Sequence, residues 1–138
     1  MAPLAQEVAD RFWLDDVIPE VTKRRRLFFA AEYEGKLVGT VQLIIALTPN
    51  QPHRCELAKL MVHPRARRLG IGRALVGQAI QRAQELGKML LTLDTNTGDA
   101  GQALYASLGF KEAGVIPDYA WDPDGRARHS TTYMYKYL

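Results

Sequence analysis

Cysteine is nearly absent from this chain, which contains one, Cys55, among 138 residues. A single cysteine excludes an internal disulfide and any metal site built from several cysteines, and it is typical of proteins from a reducing compartment. Cys55 lies in a strand-like run, and no neighbouring residue in the sequence suggests activation of its thiol. We therefore interpret Cys55 as a small buried side chain rather than a nucleophile.

Long apolar runs are also missing from the chain. Runs such as Leu43–Leu47 are far shorter than the roughly 20 residues that a membrane-spanning helix needs. Gln6, Glu7, Asp10 and Arg11 lie where a signal peptide requires apolar side chains. The sequence therefore predicts a cytoplasmic protein without a membrane partner.

The remaining composition is that of an ordinary globular domain. Hydrophobic residues make up 47% of the chain and charged residues 24%, which predicts one domain over residues 1–138 and argues against disorder. The net charge of +3 is carried largely by Lys23–Arg26 and by the arginines of residues 65–73. Neither cluster alternates with aromatic residues that could stack on bases, so we predict no nucleic-acid partner. The three histidines lack metal-ligand spacing, which predicts no metal site.

Hydrophobic periodicity predicts the order of the secondary-structure elements. A helical pattern covers Leu4 to Arg26, with Pro19 expected to divide it, and helices are predicted from Gly70 to a stop at Gly87 and over Ala100–Leu108. Strands are predicted at Leu27–Tyr33, Leu37–Leu47, Arg54–Val62, Met89–Asp94, Phe110–Ile116 and Thr131–Leu138. This order predicts an α/β (α+β) domain in which helices cover a mixed sheet around a central strand-helix-strand unit.

Two local patterns sharpen this prediction. Glu34-Gly35-Lys36 separates the first two strands and predicts a hairpin turn. Strict alternation along the third strand places Glu56, Ala58, Leu60 and Val62 on one face and Cys55, Leu57, Lys59 and Met61 on the other.

The turn between the third strand and the helix from Gly70 has the composition of a phosphate cradle. Gly70 and Gly72 leave the backbone open, and the free N–H groups and positive dipole of a helix start favour anions. Arg65, Arg67, Arg68 and Arg73 add charge around the same turn. The Gly-Lys-Ser/Thr end of the Walker pattern is absent, and Leu75 replaces the third glycine of the Rossmann pattern, so both nucleotide-binding interpretations are weakened.

These residues resemble the GNAT family of N-acetyltransferases, which transfer acetyl from acetyl-CoA to amines. The family motif Arg/Gln-x-x-Gly-x-Gly/Ala is matched by Arg67, Gly70 and Gly72, and a second motif is matched by Leu104–Phe110. The resemblance implies a largely antiparallel sheet with helices on both faces and acetyl-CoA as cosubstrate. Within the family, the chain is most similar to the branch that confers tabtoxin resistance, through Lys59–Val62, Leu93–Thr95, Pro123–Arg126 and Thr132.

The resemblance also implies a set of CoA-binding residues. Backbone amides from Arg67 to Ala74 are expected to hold the pyrophosphate, and the strand end near Met61 and Val62 is expected to splay from its neighbour and pair with the pantetheine arm. Gly98 stands where many relatives carry an asparagine, with Asn96 close by. The expected binding residues are Leu60, Met61, Val62, Arg67, Arg68, Leu69, Gly70, Ile71, Gly72, Arg73, Ala74, Asn96 and Tyr105.

The same resemblance assigns catalytic candidates. Tyr105 is expected to be the general acid, because a phenol with an unperturbed pKa of about 10 is protonated at pH 7 and can donate to a departing thiolate. Glu56 and Asp94 are alternative bases, and each could instead bind the substrate ammonium or form a structural ion pair. The loop expected between the last two strands contains Asp118, Tyr119, Trp121, Asp122 and Asp124. This acidic and aromatic set suits a cationic amine, and a solvated hairpin loop would have the same composition.

One departure from the family bears on the partners. The usual first strand and helix have no counterpart before Leu27, which would leave Leu27–Tyr33 as an unprotected sheet edge. We hypothesise that this edge pairs in a homodimer or that the start is shortened. The resemblance implies acetylation of a small-molecule or amino-acid-like amine, with a detoxification or resistance role, by direct attack in a ternary complex. A protein lysine or N-terminus as acceptor, and a non-catalytic CoA-binding sensor, remain alternatives.

Overall fold

The computed structural model describes residues 25–138, which form a six-stranded sheet and two helices of more than one turn. The strands lie in the order β1-β2-β3-β4-β6-β5, and each neighbouring pair is antiparallel except β3 and β4. The mixed, largely antiparallel sheet is thereby confirmed. The bounds are β1 Arg26–Tyr33, β2 Lys36–Ile44, β3 Arg54–Val62, α1 Ile71–Glu85, β4 Leu90–Asn96, α2 Ala100–Ser107, β5 Lys111–Trp121 and β6 Arg128–Tyr137.

The helix predicted from Leu4 lies outside the described residues, except for its last two positions. At those positions the prediction is wrong, because Arg26 already pairs with Ile44 in the β1–β2 ladder. Neither α1 nor α2 has the length and apolar content that a membrane crossing requires.

The β1–β2 hairpin closes through the turn that the sequence predicts. Glu34 and Gly35 both have positive φ, 52° and 75°, which is the backbone of a two-residue type I′ turn. Strand β2 ends at Ile44, earlier than predicted. The reason is that the N–H groups of Ile45 and Ala46 both donate to the Arg25 carbonyl, so the chain turns away from the ladder.

The central β3–α1–β4 unit joins two halves of the sheet through a short parallel ladder. Only Arg54, Cys55 and Glu56 of β3 pair with β4, opposite Leu90, Leu91 and Thr92. Beyond these pairs the described ladder of the two strands ends, although both strands continue. The sheet is therefore open between β3 and β4 at the end where the chain enters α1.

A bulge in β3 lies beside this opening. Gln42 of β2 pairs with Ala58, whereas Thr40 pairs with Met61, so β3 carries one extra residue between these pairs. Lys59 in the bulge has a φ of 58°. The predicted alternation is therefore wrong beyond Ala58: Met61 shares a face with Ala58, and Leu60 packs against the core.

Helix α1 packs against β1–β3 on the face opposite Ala58 and Met61. Its buried residues are Leu75, Val76, Ala79 and Ala83. Gly39 of β2 allows this contact, because a Cβ there would lie 3.0 Å from both Ile71 Cγ2 and Leu75 Cδ1. The helix ends where predicted, and Gly87 follows with a φ of 76°. Leu86 is the C-cap and is 39% exposed, so it falls outside the buried stripe.

The β5–β6 hairpin is longer than the sequence predicts. Strand β5 continues through Trp121, so Asp118, Tyr119 and Trp121 lie in the strand rather than in a loop. The register shifts between Ile116 and Ala120, where Asp118 has a φ of 52°. This irregularity accommodates Pro117, which has no N–H to donate, and it explains why the strand pattern breaks in the sequence.

Candidate active site

The turn between β3 and α1 has the backbone geometry of an anion cradle. A short 3-10 helix, Pro64–Ala66, is capped by His63, whose Nδ1 accepts from the Arg65 N–H at 3.2 Å. The chain then passes through two left-handed residues, Arg68 (φ 68°) and Gly70 (φ 77°), directly into α1. Gly70 is the N-cap and supplies no side chain to the helix start.

The first amides of α1 remain available at this turn. The helical ladder starts with the Ala74 N–H donating to the Gly70 carbonyl at 3.0 Å, so the N–H groups of Ile71, Gly72 and Arg73 precede it. A Cβ on Gly70 would meet no atom within 4 Å, which shows that the backbone is open on that side. These donors, together with the positive end of the helix dipole, suit a phosphate group.

The two motif glycines have different tasks. A Cβ on Gly72 would lie 3.3 Å from Leu104 Cδ2 and 3.8 Å from Val62 Cγ2, so it would point toward α2 and β3. Gly72 therefore allows α1, α2 and β3 to pack closely. Arg73 reinforces the same contact, because its Nη2 donates to the Ser107 hydroxyl at 2.7 Å.

Tyr105 lies on α2 and is 6% exposed. Its ring makes an edge contact with Phe110, with 5.6 Å between the centroids. Burial raises the pKa of Tyr105 to about 12, and the negative charge of Asp94 adds to the effect. The hydroxyl is therefore protonated at every ordinary pH and can donate a hydrogen bond to a developing anion.

The two carboxylates that the sequence nominates lie on one face of the sheet. Glu56 pairs with Thr92 of β4, and Asp94 lies two residues further along β4, so both are on the face opposite α1. Asp94 Oδ2 accepts a hydrogen bond of 2.8 Å from the Thr131 hydroxyl. The structure thus places both candidate bases on one face of the sheet, next to the β3–β4 opening.

Tyr133 belongs to this face and is a residue that the sequence prediction missed. It pairs with Asp94, and its hydroxyl lies 2.9 Å from the Tyr119 hydroxyl. The hydrogen bond with Tyr119, then burial and the charges of Asp94 and Glu56, raise the pKa of Tyr133 to about 12. The available signal was the alternation Thr131, Tyr133, Tyr135 in β6, but its alignment with Asp94 depends on strand register.

The acidic and aromatic set predicted for one loop is divided in the structure. Tyr119 reaches the carboxylate face through Tyr133. Asp122 instead lies 2.8 Å from His129 Nδ1, and the Trp121 ring lies beneath the Arg128 guanidinium at 5.4 Å. The set therefore does not act as one cluster.

Two further sequence predictions concern single residues. Cys55 is fully buried, and burial raises the pKa of its thiol to about 11, which confirms its interpretation as a small core side chain. Asn96 ends β4 and pairs with Thr131, so it lies on the carboxylate face, beyond Asp94. Leu60, Met61 and Val62 form the β3 side of the opening.

The family model described as the acetyltransferase (GNAT) family matches residues 3–110. The chain belongs to this family. The GNAT relatives include human N-acetyltransferase 8, 38% identical over 96 residues, which cover 68% of this chain and 42% of the relative. The chain therefore spans less than half of that protein's length.

Bacterial members of the GNAT family match a larger share of their own length. The ribosomal protein bS18-alanine N-acetyltransferase of Escherichia coli is 30% identical over 115 residues, or 83% of this chain and 74% of the relative. The crystal structure of ribosomal-protein-alanine N-acetyltransferase from Brucella melitensis is 28% identical, with a TM-score of 0.80 over 99% of this chain and 81% of that chain. The predicted family fold is thus confirmed.

Proposed function

We propose that this GNAT domain transfers acetyl from acetyl-CoA to a primary amine by direct attack in a ternary complex. The observation that carries the proposal is the β3–β4 opening. The turn that suits a phosphate group lies at the start of α1, and the carboxylates of Glu56 and Asp94 lie on the face of the sheet opposite α1. A ligand passing through the opening connects both. This arrangement suits a reaction between a phosphate-bearing thioester and an amine.

The residues present fit acetyl-CoA. The Ile71, Gly72 and Arg73 amides offer donors to the pyrophosphate, and the β3 edge from Leu60 to Val62 offers backbone groups to the amide bonds of the pantetheine arm. Bound acetyl-CoA supplies the thioester carbonyl carbon that an amine attacks. A backbone N–H of the β3 edge serves as a hydrogen-bond donor for the carbonyl oxygen as its negative charge grows.

The Tyr105 hydroxyl donates a hydrogen bond to the sulfur atom of the departing CoA. A thiol with a pKa of about 8.5 is a much stronger acid than this phenol, whose pKa is raised to about 12. Tyr105 therefore keeps its proton while the hydrogen bond stabilises the developing thiolate. Glu56 or Asp94 takes the proton that the amine must lose, directly or through water, and the other carboxylate orients the amine.

Two resemblances bear on which amine accepts the acetyl group. The resemblance to the tabtoxin-resistance branch favours a small amino-acid-like amine. The Escherichia coli and Brucella melitensis relatives are named for an alanine of a ribosomal protein, which favours a peptide N-terminus. Both acceptors carry an α-amino group beside a carbonyl carbon.

Thiol release from acetyl-CoA in the presence of amino acids, polyamines, aminoglycosides, lysine peptides and peptides with free N-termini tests the proposal, with acetyl-CoA binding measured by calorimetry. We expect turnover with one acceptor class and loss of turnover in Tyr105→Phe with binding retained. Binding without turnover on any acceptor would favour the sensor alternative. Absence of binding would refute the proposal altogether.

A further inference from the structure

Three buried polar atoms in the described part of the chain have no hydrogen-bond partner, and all lie on β1 and β2: Arg26 Nε, Thr40 Oγ1 and Gln42 Nε2. Gln42 is fully buried and Thr40 is 8% exposed. A buried donor without a partner destabilises a protein, so such groups are rare and each calls for an explanation. Their position in the sheet is therefore informative.

These atoms lie on the carboxylate face, and β3 separates them from the opening. Gln42 pairs with Ala58 and Thr40 pairs with Met61, the two residues that flank the β3 bulge. Alternation along β2 directs both side chains away from α1, because Gly39 is the residue that faces α1. Ala58 is partly exposed, so the surface next to Gln42 is within reach of a ligand.

The unpartnered group of Gln42 is a donor. Arg26 Nη1 donates to Gln42 Oε1 at 2.6 Å, and a guanidinium can only donate, so the amide oxygen is the occupied end. The NH₂ group is left without a partner and requires an oxygen acceptor. Arg26 also gives this end of the face a positive charge, whereas Glu56 and Asp94 give the β3–β4 end a negative charge.

The cosubstrate does not explain these donors. The phosphate cradle lies at the start of α1, on the opposite face of the sheet. A ligand that satisfies both ends of the carboxylate face has an amine for the carboxylates and an oxygen acceptor a short distance away for Gln42. An α-amino acid and a peptide N-terminus both have this chemistry, and a simple alkylamine or polyamine lacks it.

We propose that Gln42, with Thr40 beside it, binds the carbonyl or carboxylate oxygen of an α-amino acceptor and so determines acceptor specificity. This inference rests on the proposed acetyl transfer and names its substrate class. Gln42 and Thr40 are binding residues and take no part in proton transfer. Arg26 holds the Gln42 amide in the orientation that presents its NH₂ group.

The test compares two matched amines, alaninamide and isopropylamine, which differ by a carboxamide in place of a methyl group. Values of kcat/KM are expressed per concentration of unprotonated amine, because the carbonyl lowers the pKa of the amine. We expect the wild type to prefer alaninamide by roughly 10- to 100-fold, the value of one well-placed hydrogen bond to a buried donor. Alanine and an alanyl peptide, assayed in parallel, distinguish a free carboxylate from a peptide carbonyl.

Gln42→Leu removes the donor at similar volume and is expected to reduce this preference to about one, and Thr40→Val is expected to reduce it in part. Gln42→Glu keeps the shape of the side chain and its contact with Arg26 but removes the donor. We expect its preference for alaninamide to fall by at least about 10-fold. This variant tests the inference even if Gln42→Leu folds poorly. Gln81→Leu, on the exposed surface of α1, is the matched control and should keep the wild-type ratio.

Several results would overturn the inference. Equal turnover of the two amines by the wild type would do so while leaving the proposed acetyl transfer intact. An unchanged ratio in Gln42→Leu, together with a lower melting temperature, would assign Gln42 a structural role only. Lack of turnover with every amine would instead refute the proposed function, and with it this inference.

Discussion

The Thr131 hydroxyl donates to the Asp94 carboxylate at 2.8 Å across the β4–β6 ladder. The same hydroxyl lies 3.1 Å from the Thr95 carbonyl, so one threonine contacts both a side chain and the backbone of β4. Asp94 is thereby held in a fixed rotamer on the carboxylate face, whereas Glu56 projects from the last paired position of β3. The two candidate bases thus differ in how firmly they are held.

This difference gives a test of which carboxylate is the base. Glu56→Gln and Asp94→Asn are isosteric, and the variant that loses the base should lose roughly 10²- to 10⁴-fold in kcat/KM at pH 7. That loss should shrink by roughly 10-fold as the pH rises from 7 past the pKa of the acceptor amine, about 8 for an α-amino group, because the free fraction of the amine then grows from about a tenth to nearly all of it. The other variant should raise KM without this pH dependence, and wild-type profiles from both would contradict the assignment.

Tyr105→Phe tests the hydrogen bond to the leaving sulfur. The ring contact with Phe110 is kept, so we expect folding and acetyl-CoA affinity close to wild type, with kcat lowered by about 10²-fold. Because the pKa of Tyr105 is raised to about 12, the wild-type rate should show no decline from this group below pH 10. Tyr33→Phe, at the exposed end of β1, is the control and should retain full kcat.

Two glycines test the packing of α1. In Gly39→Ala the new Cβ lies 3.0 Å from Ile71 and Leu75 atoms and 3.3 Å from the Met61 carbonyl oxygen, so we expect a loss of about 1–3 kcal/mol in the free energy of unfolding. In Gly77→Ala, within α1, the Cβ meets no atom within 4 Å, so we expect a gain of about 0.5–1 kcal/mol. Urea titration measures both, and equal effects would contradict the close approach of α1 to β2.

Cys55 should make the fold sensitive to alkali. Its pKa is raised from 9.0 to about 11, so between these values the folded protein keeps a proton that the unfolded chain loses. Raising the pH through this window therefore favours unfolding, by up to about 2 kcal/mol. Cys55→Ala lacks the titrating group, so its stability relative to wild type should improve steadily from pH 9 to pH 11. A constant difference would show that the thiol does not titrate in this range.

The elements with strong local patterns were predictable from the sequence. The β1–β2 turn needs Gly35 at positive φ, and the apolar stripe of α1 is bounded by Gly70 and Gly87. The open backbone of the turn before α1 was predictable for the same reason, because its positive φ at Gly70 depends on glycine. Local chemistry alone therefore located this turn and α1.

The carboxylate face was predictable only in part, because it depends on long-range register. Lys59 gives no signal of a bulge in the sequence, yet the bulge moves Met61 onto the face of Ala58. Tyr119 and Tyr133 meet only because the β5 irregularity near Pro117 shifts one strand against the other. The unpartnered NH₂ group of Gln42 depends on how β1 and β2 pack together, which the sequence pattern does not show.

The β3–β4 opening also bears on how a ligand enters. Since the described ladder ends at Glu56 and Thr92, an extended chain can be placed beyond that point without breaking any of its hydrogen bonds. The separation of the strands is established during folding, so binding needs no local unfolding and pays little conformational entropy on the protein side. Loading should therefore leave the backbone nearly unchanged.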